Sequence, residues 1–304
     1  MRIIVTGGAG FIGSHVSELL LAENNQVIVV DNLITGQLSN LPKNDGLVFI
    51  QKDINKCLRN DFSGGVDAII HLAASPSVTD SWENIKVAHD NNLTSTASVI
   101  MLCKELGIRR IVFASSAAVY GNASSMPLCE DLPVEPISPY GCQKLFSERY
   151  LAVFSNYCNL SVVCLRFFNV FGPRQSRHSQ YSGVITKFVT AMMAGKQLTI
   201  FGSGNQSRDF VYVKDVARAC CLALNAEVNR NSIVINVGTG TPTSINDLAT
   251  SLKKFFPNWT EGTIYSSDQP GDISHSLADI GLAKSVLGYS PSYTLLEGLK
   301  GLFV

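Results

Sequence analysis

"RIIVTGGAGFIG", Arg2 to Gly13, is the stretch that decides the fold. An apolar run ends at Thr6. Gly7, Gly10 and Gly13 then recur every third residue, and helical periodicity sets in over residues 11–23. Glycines in this order, between a strand and a helix, let the backbone turn tightly, approach a pyrophosphate and pack the helix on a sheet. The helix N-terminus, with Phe11 and Ile12 in its first turn, offers N–H groups and a positive dipole end to phosphates. The next strand, "QVIVVD", ends at Asp31, eighteen residues after Gly13. A carboxylate there accepts hydrogen bonds from the adenosine ribose hydroxyls and repels a 2′-phosphate, so the pattern favours NAD over NADP as cofactor.

The rhythm continues outward. "LVFIQKD" reads as a third strand, "DAIIHLAA" as a fourth, "RRIVFASS" as a fifth and "LSVVCLRFF" as a sixth. A long helical segment spans roughly 84–107 and another spans 138–156. Uninterrupted apolar strands separated by helices indicate a parallel sheet covered on both faces. The fold class is α/β, a Rossmann-type doubly wound parallel sheet with a smaller C-terminal lobe. After Phe171 the pattern changes. "GPRQSRHSQYSG" is loop-like, 184–194 is helical, and "LTIFGSGNQSRDFVYV" suggests two short strands around a glycine-rich loop. The expected division is a nucleotide-binding domain over 1–170, with a return of the chain near 210–237. A substrate-covering lobe over 171–304 is interleaved with it.

Composition narrows the function. Lysine plus arginine and aspartate plus glutamate are 24 each, so the net charge is zero and no broad footprint for nucleic acid or anionic membrane exists. No run of eighteen apolar residues is present, and the apolar N-terminal segment is too short for a signal peptide, which leads to the expectation of a cytoplasmic protein. The eight cysteines form no C-x-x-C pair, and adjacent Cys220 and Cys221 suit neither a metal nor a mutual disulfide, so they read as free buried thiols. His178 and His275 lie in loops without partners at ligand spacing and read as non-metal residues.

"FASSAAVYGN", Phe113 to Asn122, ends the fifth strand on Ser115 and Ser116, followed by Ala117 and Ala118. Twenty-four residues after Ser116 comes "SPYGCQK", in which Tyr140 and Lys144 are four apart and share a helix face. A phenol titrates near pH 10. To act as a base near neutrality its pKa must fall by roughly three units, about 4 kcal/mol of differential stabilisation. The Lys144 ammonium and an oxidised nicotinamide are the expected sources of that fall, and a serine at the strand end can hydrogen-bond the same substrate hydroxyl.

With these motifs together, the sequence resembles the extended short-chain dehydrogenase/reductase family, in its nucleotide-sugar epimerase and dehydratase branch. "TGGAGFIGS", "DNL", "HLAA", "SSAAVYG", "SPYGCQK", "RFFNVFGPRQ", "RDFVYVKDVA" and "HSLADI" carry the resemblance over essentially the whole chain. It implies that Ser116, Tyr140 and Lys144 are the catalytic triad. Asn32, beside Asp31, would join the cofactor contacts. Asp53 and Ile54 would hold the adenine, and Ala73 and Asn92 would line the cofactor groove. Members that dehydrate or decarboxylate the sugar carry acidic residues after the catalytic serine or threonine. Here Ala117 and Ala118 stand there, which points to a UDP-hexose 4-epimerase acting through a 4-keto sugar.

On the substrate side, the resemblance places Asn169 and Arg208 on the UDP pyrophosphate and Phe201 by the uracil, with Asp272 among the contacts. Ser276 occupies what looks like the gate beside the sugar C2 substituent, and its small size leaves room for an N-acetyl group. Relatives have arginine three residues before Asp272; this chain has Gln269. The same fold would also serve a dehydratase, a decarboxylase, a uronate epimerase or a non-catalytic NAD-binding protein. The resemblance further implies a homodimer joined through the helices near 84–107 and 138–156.

Overall fold

A computed structural model describes residues 1–176, 183–228, 231–267 and 273–303. Its centre is a seven-stranded sheet. Strands β1 (Arg2–Thr6), β2 (Gln26–Asp31), β3 (Leu47–Gln51), β4 (Ala68–His71), β5 (Arg110–Ser116) and β6 (Ser161–Phe167) are joined by a late strand, Ser232–Val237. The spatial order is Ser232–Val237, β6, β5, β4, β1, β2, β3, and every neighbouring pair is parallel. Successive strands run outward in one direction from β1 and in the other from β4. Between those two strands their carboxyl ends leave a crevice, the usual ligand site of such a sheet.

Strand apolarity is uninterrupted because both faces are covered. Ile3 and Val5 face one layer and Ile4 the other, all fully buried. The first layer is helix α1 (Phe11–Ala22), through Val16 and Leu20, packed with Val216, Ala219, Cys220 and Ala223 of the helix Val213–Asn225. The second holds Val99, Ile100 and Cys103 of the helix Ser95–Leu106 and Leu151 of the helix Pro139–Cys158. All eight cysteines are free, but only Cys103, Cys164, Cys220 and Cys221 are buried; the other four are half-exposed.

The segment expected as one helix over 84–107 is instead broken. Short helices Val78–Glu83 and Ile85–His89 lead into a π-helical turn, Asp90–Thr94, before Ser95–Leu106. The wider π turn places Asn92 in the interior, where its amide bonds neighbouring segments through both N–H groups and one position of its oxygen. The helix expected over 138–156 runs over Pro139–Cys158. Ser138 caps it by accepting from Gly141 N at 3.1 Å, and Asn159 ends it in the left-handed region at φ +51°.

The lobe has its own core, with Phe188, Leu198, Ile200, Phe210, Leu248 and Leu299 buried together. Where two short strands were expected there are three: Leu198–Phe201, Ser207–Arg208 and Phe210–Tyr212. The chain then re-enters the main layers through Val213–Asn225 and pairs Ser232–Val237 with β6.

Candidate active site

The crevice begins at the β1–α1 turn. Gly7 sits at φ +68°, and a Cβ there would come within 2.8 Å of the Ala73 backbone at the end of β4. A Cβ on Gly13 would overlap the Gly7 carbonyl. Gly10 is the N-cap of α1 and supplies no side-chain cap, so the first-turn amides of Phe11, Ile12 and Gly13 are left for an outside acceptor. The Phe11 and Ile12 side chains pack against the lobe's core. Asp31, at the end of β2, is buried. Its Oδ2 accepts from Ala9 N at 3.0 Å and its Oδ1 from Leu33 N at 2.8 Å. A carboxylate has about four acceptor positions, so capacity for two ribose hydroxyls remains.

Asn32 reaches Asp53 across 3.5 Å, and Asp53 caps the turn Ile54–Lys56 through Asn55 N at 2.9 Å. Ile54 is a core residue of the second layer. Asn92 accepts from Ser75 N at 2.8 Å and donates to the Ser75 carbonyl at 3.2 Å and to Gln143 Oε1 at 2.7 Å. It thus ties the loop after β4, beyond Ala73, to the helix Pro139–Cys158. Beneath it, Thr6 Oγ1 accepts from Leu72 N and Ala73 N at 3.2 Å each, so its own proton points to His71 Nδ1 at 2.7 Å. That leaves Nε2 as the protonated ring nitrogen, facing Ser95 Oγ at 3.4 Å.

Strand alternation explains the two serines. Ser115 and Ser116 leave β5 on opposite faces. Ser116 Oγ accepts from Ala118 N at 3.2 Å and hydrogen-bonds the Tyr140 side chain. Ser115 Oγ points behind the site and donates to Glu148 Oε1 at 2.5 Å. The alanines form the 3₁₀ turn Ala117–Tyr120, whose amide pins Ser116. A Cβ on Gly141 would lie 2.7 Å from the Ala118 carbonyl, so the helix Pro139–Cys158 reaches this turn only with glycine there.

Tyr140 and Lys144 are both buried. Lys144 Nζ donates to the Ala114 carbonyl at 2.7 Å and lies 5.8 Å from the Tyr140 ring centroid. Burial lowers the Lys144 pKa to about 8, against the opposing pull of Glu148, so the amine is still charged at neutral pH. Burial raises the Tyr140 phenol above its ordinary value, and Ser116 acts in the other direction. Among the chain's own groups, desolvation outweighs what acidifies the phenol.

The substrate side is built from short pairings. Ser207–Arg208 lies between Thr243–Ser244, antiparallel, and His275–Ser276, parallel, with Ser276 opposite Arg208. Asn169 is opposite Phe210 in a second small sheet, and its N–H donates to the Asp209 carbonyl at 3.0 Å. Arg208 and Ser276 are therefore neighbours, and Asn169 bonds the backbone of the next residue, Asp209; Ser276 itself is buried. Phe201 ends its strand with its ring exposed. His275 Nδ1 meets Ser207 Oγ at 2.9 Å, a contact that joins the strands. His178, Gln269 and Asp272 lie outside the described residues. Among the described residues no group of three or more acidic, histidine or cysteine side chains could hold a metal.

Residues 3–238 match the NAD dependent epimerase/dehydratase family. The chain belongs to that family. A putative UDP-glucose 4-epimerase of Methanocaldococcus jannaschii is 40% identical over 301 residues, covering 98% of this chain and 96% of that protein. The UDP-N-acetylglucosamine 4-epimerase of Methanobrevibacter ruminantium, solved with UDP-N-acetylmuramic acid, superimposes with a TM-score of 0.92 at 37% identity, covering 99% and 97% of the two chains. The UDP-glucose 4-epimerase of Thermotoga maritima, solved with UDP-glucose, gives 0.93 at 36% identity with the same coverage. More distant relatives include a UDP-glucuronate 4-epimerase and a UDP-glucuronic acid decarboxylase.

As a member of this NAD-dependent family, the protein has a turn that suits its cofactor. The space that a Cβ would fill at Gly7 and Gly13 is occupied by backbone, the α1 amides are free, and Asp31 retains acceptor capacity. Several side chains of this family member escape a reading of the sequence alone. Ser81 Oγ accepts from Tyr140 N at 3.1 Å, Gln143 holds Asn92, and Glu148 joins Ser115 to Arg166. Arg166 carries a visible signal, a lone charge inside the apolar run "VVCLRFF". Asp209 carries none, because its carboxylate's partners lie in two distant segments, Thr239–Gly240 and Ala278.

Proposed function

We propose that the protein is a UDP-hexose 4-epimerase, with Ser116, Tyr140 and Lys144 as its catalytic residues. The observation that carries this reading is the turn after Ser116. Ala117 and Ala118 stand at the turn, so among the described residues it puts no acid beside the Ser116–Tyr140 pair, and the nearby carboxylate of Glu148 is committed to Arg166 behind the strand. Elimination or decarboxylation would ask for an acid or a carboxylate-reading group at that turn. NAD, when bound, supplies the acceptor for the C4 hydride and its donor on return, so no net oxidation occurs. Tyr140 takes the C4 hydroxyl proton and gives one back after the 4-keto sugar has turned over. Ser116 hydrogen-bonds the same oxygen, and the Lys144 charge favours the phenolate.

Asn169 and Arg208 hold the diphosphate, and the guanidinium fork matches its oxygens. Phe201 takes the uracil, and Asp272, which lies outside the described residues, joins the substrate contacts by the family resemblance alone. Gly7, Gly10, Phe11, Ile12, Gly13, Asp31, Asn32, Asp53, Ile54, Ala73 and Asn92 hold the dinucleotide. The small Ser276 admits an N-acetyl group, so both UDP-glucose/UDP-galactose and UDP-N-acetylglucosamine/UDP-N-acetylgalactosamine are substrates. The kinship with epimerases of both sugar types supports this breadth. Incubation with each UDP-sugar separately, followed by separation of C4 epimers, tests it. A product of changed mass, or turnover of UDP-glucuronate alone, would replace it with a decarboxylase, a dehydratase or a uronate epimerase.

The helix Pro139–Cys158 exposes Phe146, Tyr150, Val153 and Tyr157 along one stripe, with Met101 exposed on Ser95–Leu106. We read this face as the contact with a second copy; sedimentation velocity showing a monomer would remove that reading. No helix among the described residues is long and apolar enough to cross a membrane, and a cytoplasmic location is part of the same proposal.

A further inference from the structure

Three consecutive residues at the end of β5 each hold one residue of the helix Pro139–Cys158. Ser116 meets Tyr140, the Ala114 carbonyl accepts from Lys144, and Ser115 donates to Glu148. Residues 140, 144 and 148 are about one helical turn apart and share a face. The first two contacts are in the site and the third lies behind it. Glu148 is almost fully buried. Its Oε1 also accepts from Arg166 Nε at 2.9 Å, and its Oε2 accepts from Arg166 Nη2 at 2.8 Å. Arg166 lies on β6 opposite Ser115, and its Cζ is 4.7 Å from the Tyr120 ring centroid. Such a two-pronged pair leaves the carboxylate little freedom. Buried ion pairs seldom add net stability over an apolar replacement, so one placed a turn beyond Lys144 calls for another account.

We propose that Glu148 is a positioning residue for the reaction: clamped by Arg166 and Ser115, it fixes the register of the catalytic helix on β5 and keeps a negative charge one turn from the Lys144 ammonium. The groups facing that ammonium are few. Tyr140 and Glu148 lie on its own helix. His71 faces it from β4 and is neutral, its pKa lowered to about 3 by burial. From β5 come the Phe113 ring, 4.9 Å away, and the Ala114 carbonyl. Cys164 faces it from β6, a thiol that burial keeps protonated. Among these, Glu148 is the carboxylate, and it opposes the desolvation that pulls Lys144 down to about 8.

The inference rests on the 4-epimerase reading for its kinetic readout. The test uses full-length, NAD-loaded protein and compares wild type with Ser115→Ala and with Glu148→Gln combined with Arg166→Met, which removes both buried charges together. NAD content, melting temperature, kcat and KM against pH, and the ¹³C shift of the Lys144 ε-carbon against pH are measured. The double variant is expected to keep NAD and an unchanged KM, to lose about tenfold in kcat, and to shift its alkaline limb and the Lys144 titration to lower pH by about one unit. Ser115→Ala keeps the charge, so it should lose about threefold in kcat with the limb in place.

A folded double variant with wild-type kcat and an unmoved limb overturns the proposal. Should the double variant not fold, Ser115→Ala decides, and wild-type kcat there overturns it. Wild-type protein inactive on every UDP-sugar would strike the function reading instead. The Lys144 titration would then decide alone, with coincident curves overturning the positioning role and a downward shift supporting it.

Discussion

The end of β5 and the two-residue strand Ser207–Arg208 both carry side chains assigned to the site, and they are held by different means. Ser116 ends a seven-residue strand paired along its length with β6, so its place follows from a continuous hydrogen-bonded register. Arg208 lies on a strand two residues long, flanked by segments from elsewhere in the chain. Beside it, the buried Asp209 accepts from Thr239 N and Oγ1, Gly240 N and Ala278 N, at 2.6–3.2 Å. Burial raises its pKa against the pull of these donors. The proposed catalytic serine is thus positioned by a sheet, and the proposed substrate contacts by one carboxylate knotting three segments.

If that contrast is real, damage to one region should spare the other. The largest effect belongs to Tyr140→Phe, which should lower turnover on the order of 10³-fold while NAD content and UDP affinity stay unchanged. Stopped assays with purified protein would show it, and near-normal turnover would remove Tyr140 from the mechanism. Next in size is Asp209→Asn. Turning an amide toward backbone donors should cost about 2–3 kcal/mol of stability. It should also raise the KM for UDP-sugar and speed hydrogen exchange at Thr239, Gly240 and Ala278. NAD titration should be unaffected, and an equal loss of NAD affinity would erase the distinction.

Gly13→Ala should do the reverse. Its Cβ meets the Gly7 carbonyl and the Gly8 backbone, an overpacking that costs about 1–2 kcal/mol and should fall on NAD affinity, with UDP binding intact by calorimetry.

The smallest effect sharpens the picture within the nucleotide half. His71 is held neutral, with a folded pKa of about 3 against 6.5 when unfolded. The unfolded chain therefore binds the extra proton between those values. Stability from this group is complete above pH 6.5 and falls as the pH drops toward 3. Urea unfolding should show about 1 kcal/mol lost between pH 6 and pH 5, and a His71→Asn variant should flatten that slope.

Much of the nucleotide half could be read without coordinates. Gly7, Gly10, Gly13 and Asp31 follow one another through strand, turn, helix and strand, so short-range order already places them together. Tyr140 and Lys144 are four residues apart on a helix, and that spacing is their geometry. The break at Asp90–Thr94 was not legible. A π turn inside an apolar helical pattern has no marker residue, and its cause is the demand for Asn92 between Ser75 and Gln143. Residue order alone does not separate Ser115 from Ser116, because a sequence does not show which face of the sheet is the site; the family resemblance singled out Ser116.

By itself, then, the order of residues determined the layered parallel architecture, the cofactor turn and the chemical identity of the phenol–amine pair. These depend on periodicity and on contacts between neighbours in the chain. Folding in three dimensions decided that Ser115 turns away to Glu148 and Arg166, that Asp209 gathers Thr239, Gly240 and Ala278, and that burial raises Tyr140 while lowering Lys144. Each of these depends on desolvation and on partners distant in the chain, and both come into being only when the layers close.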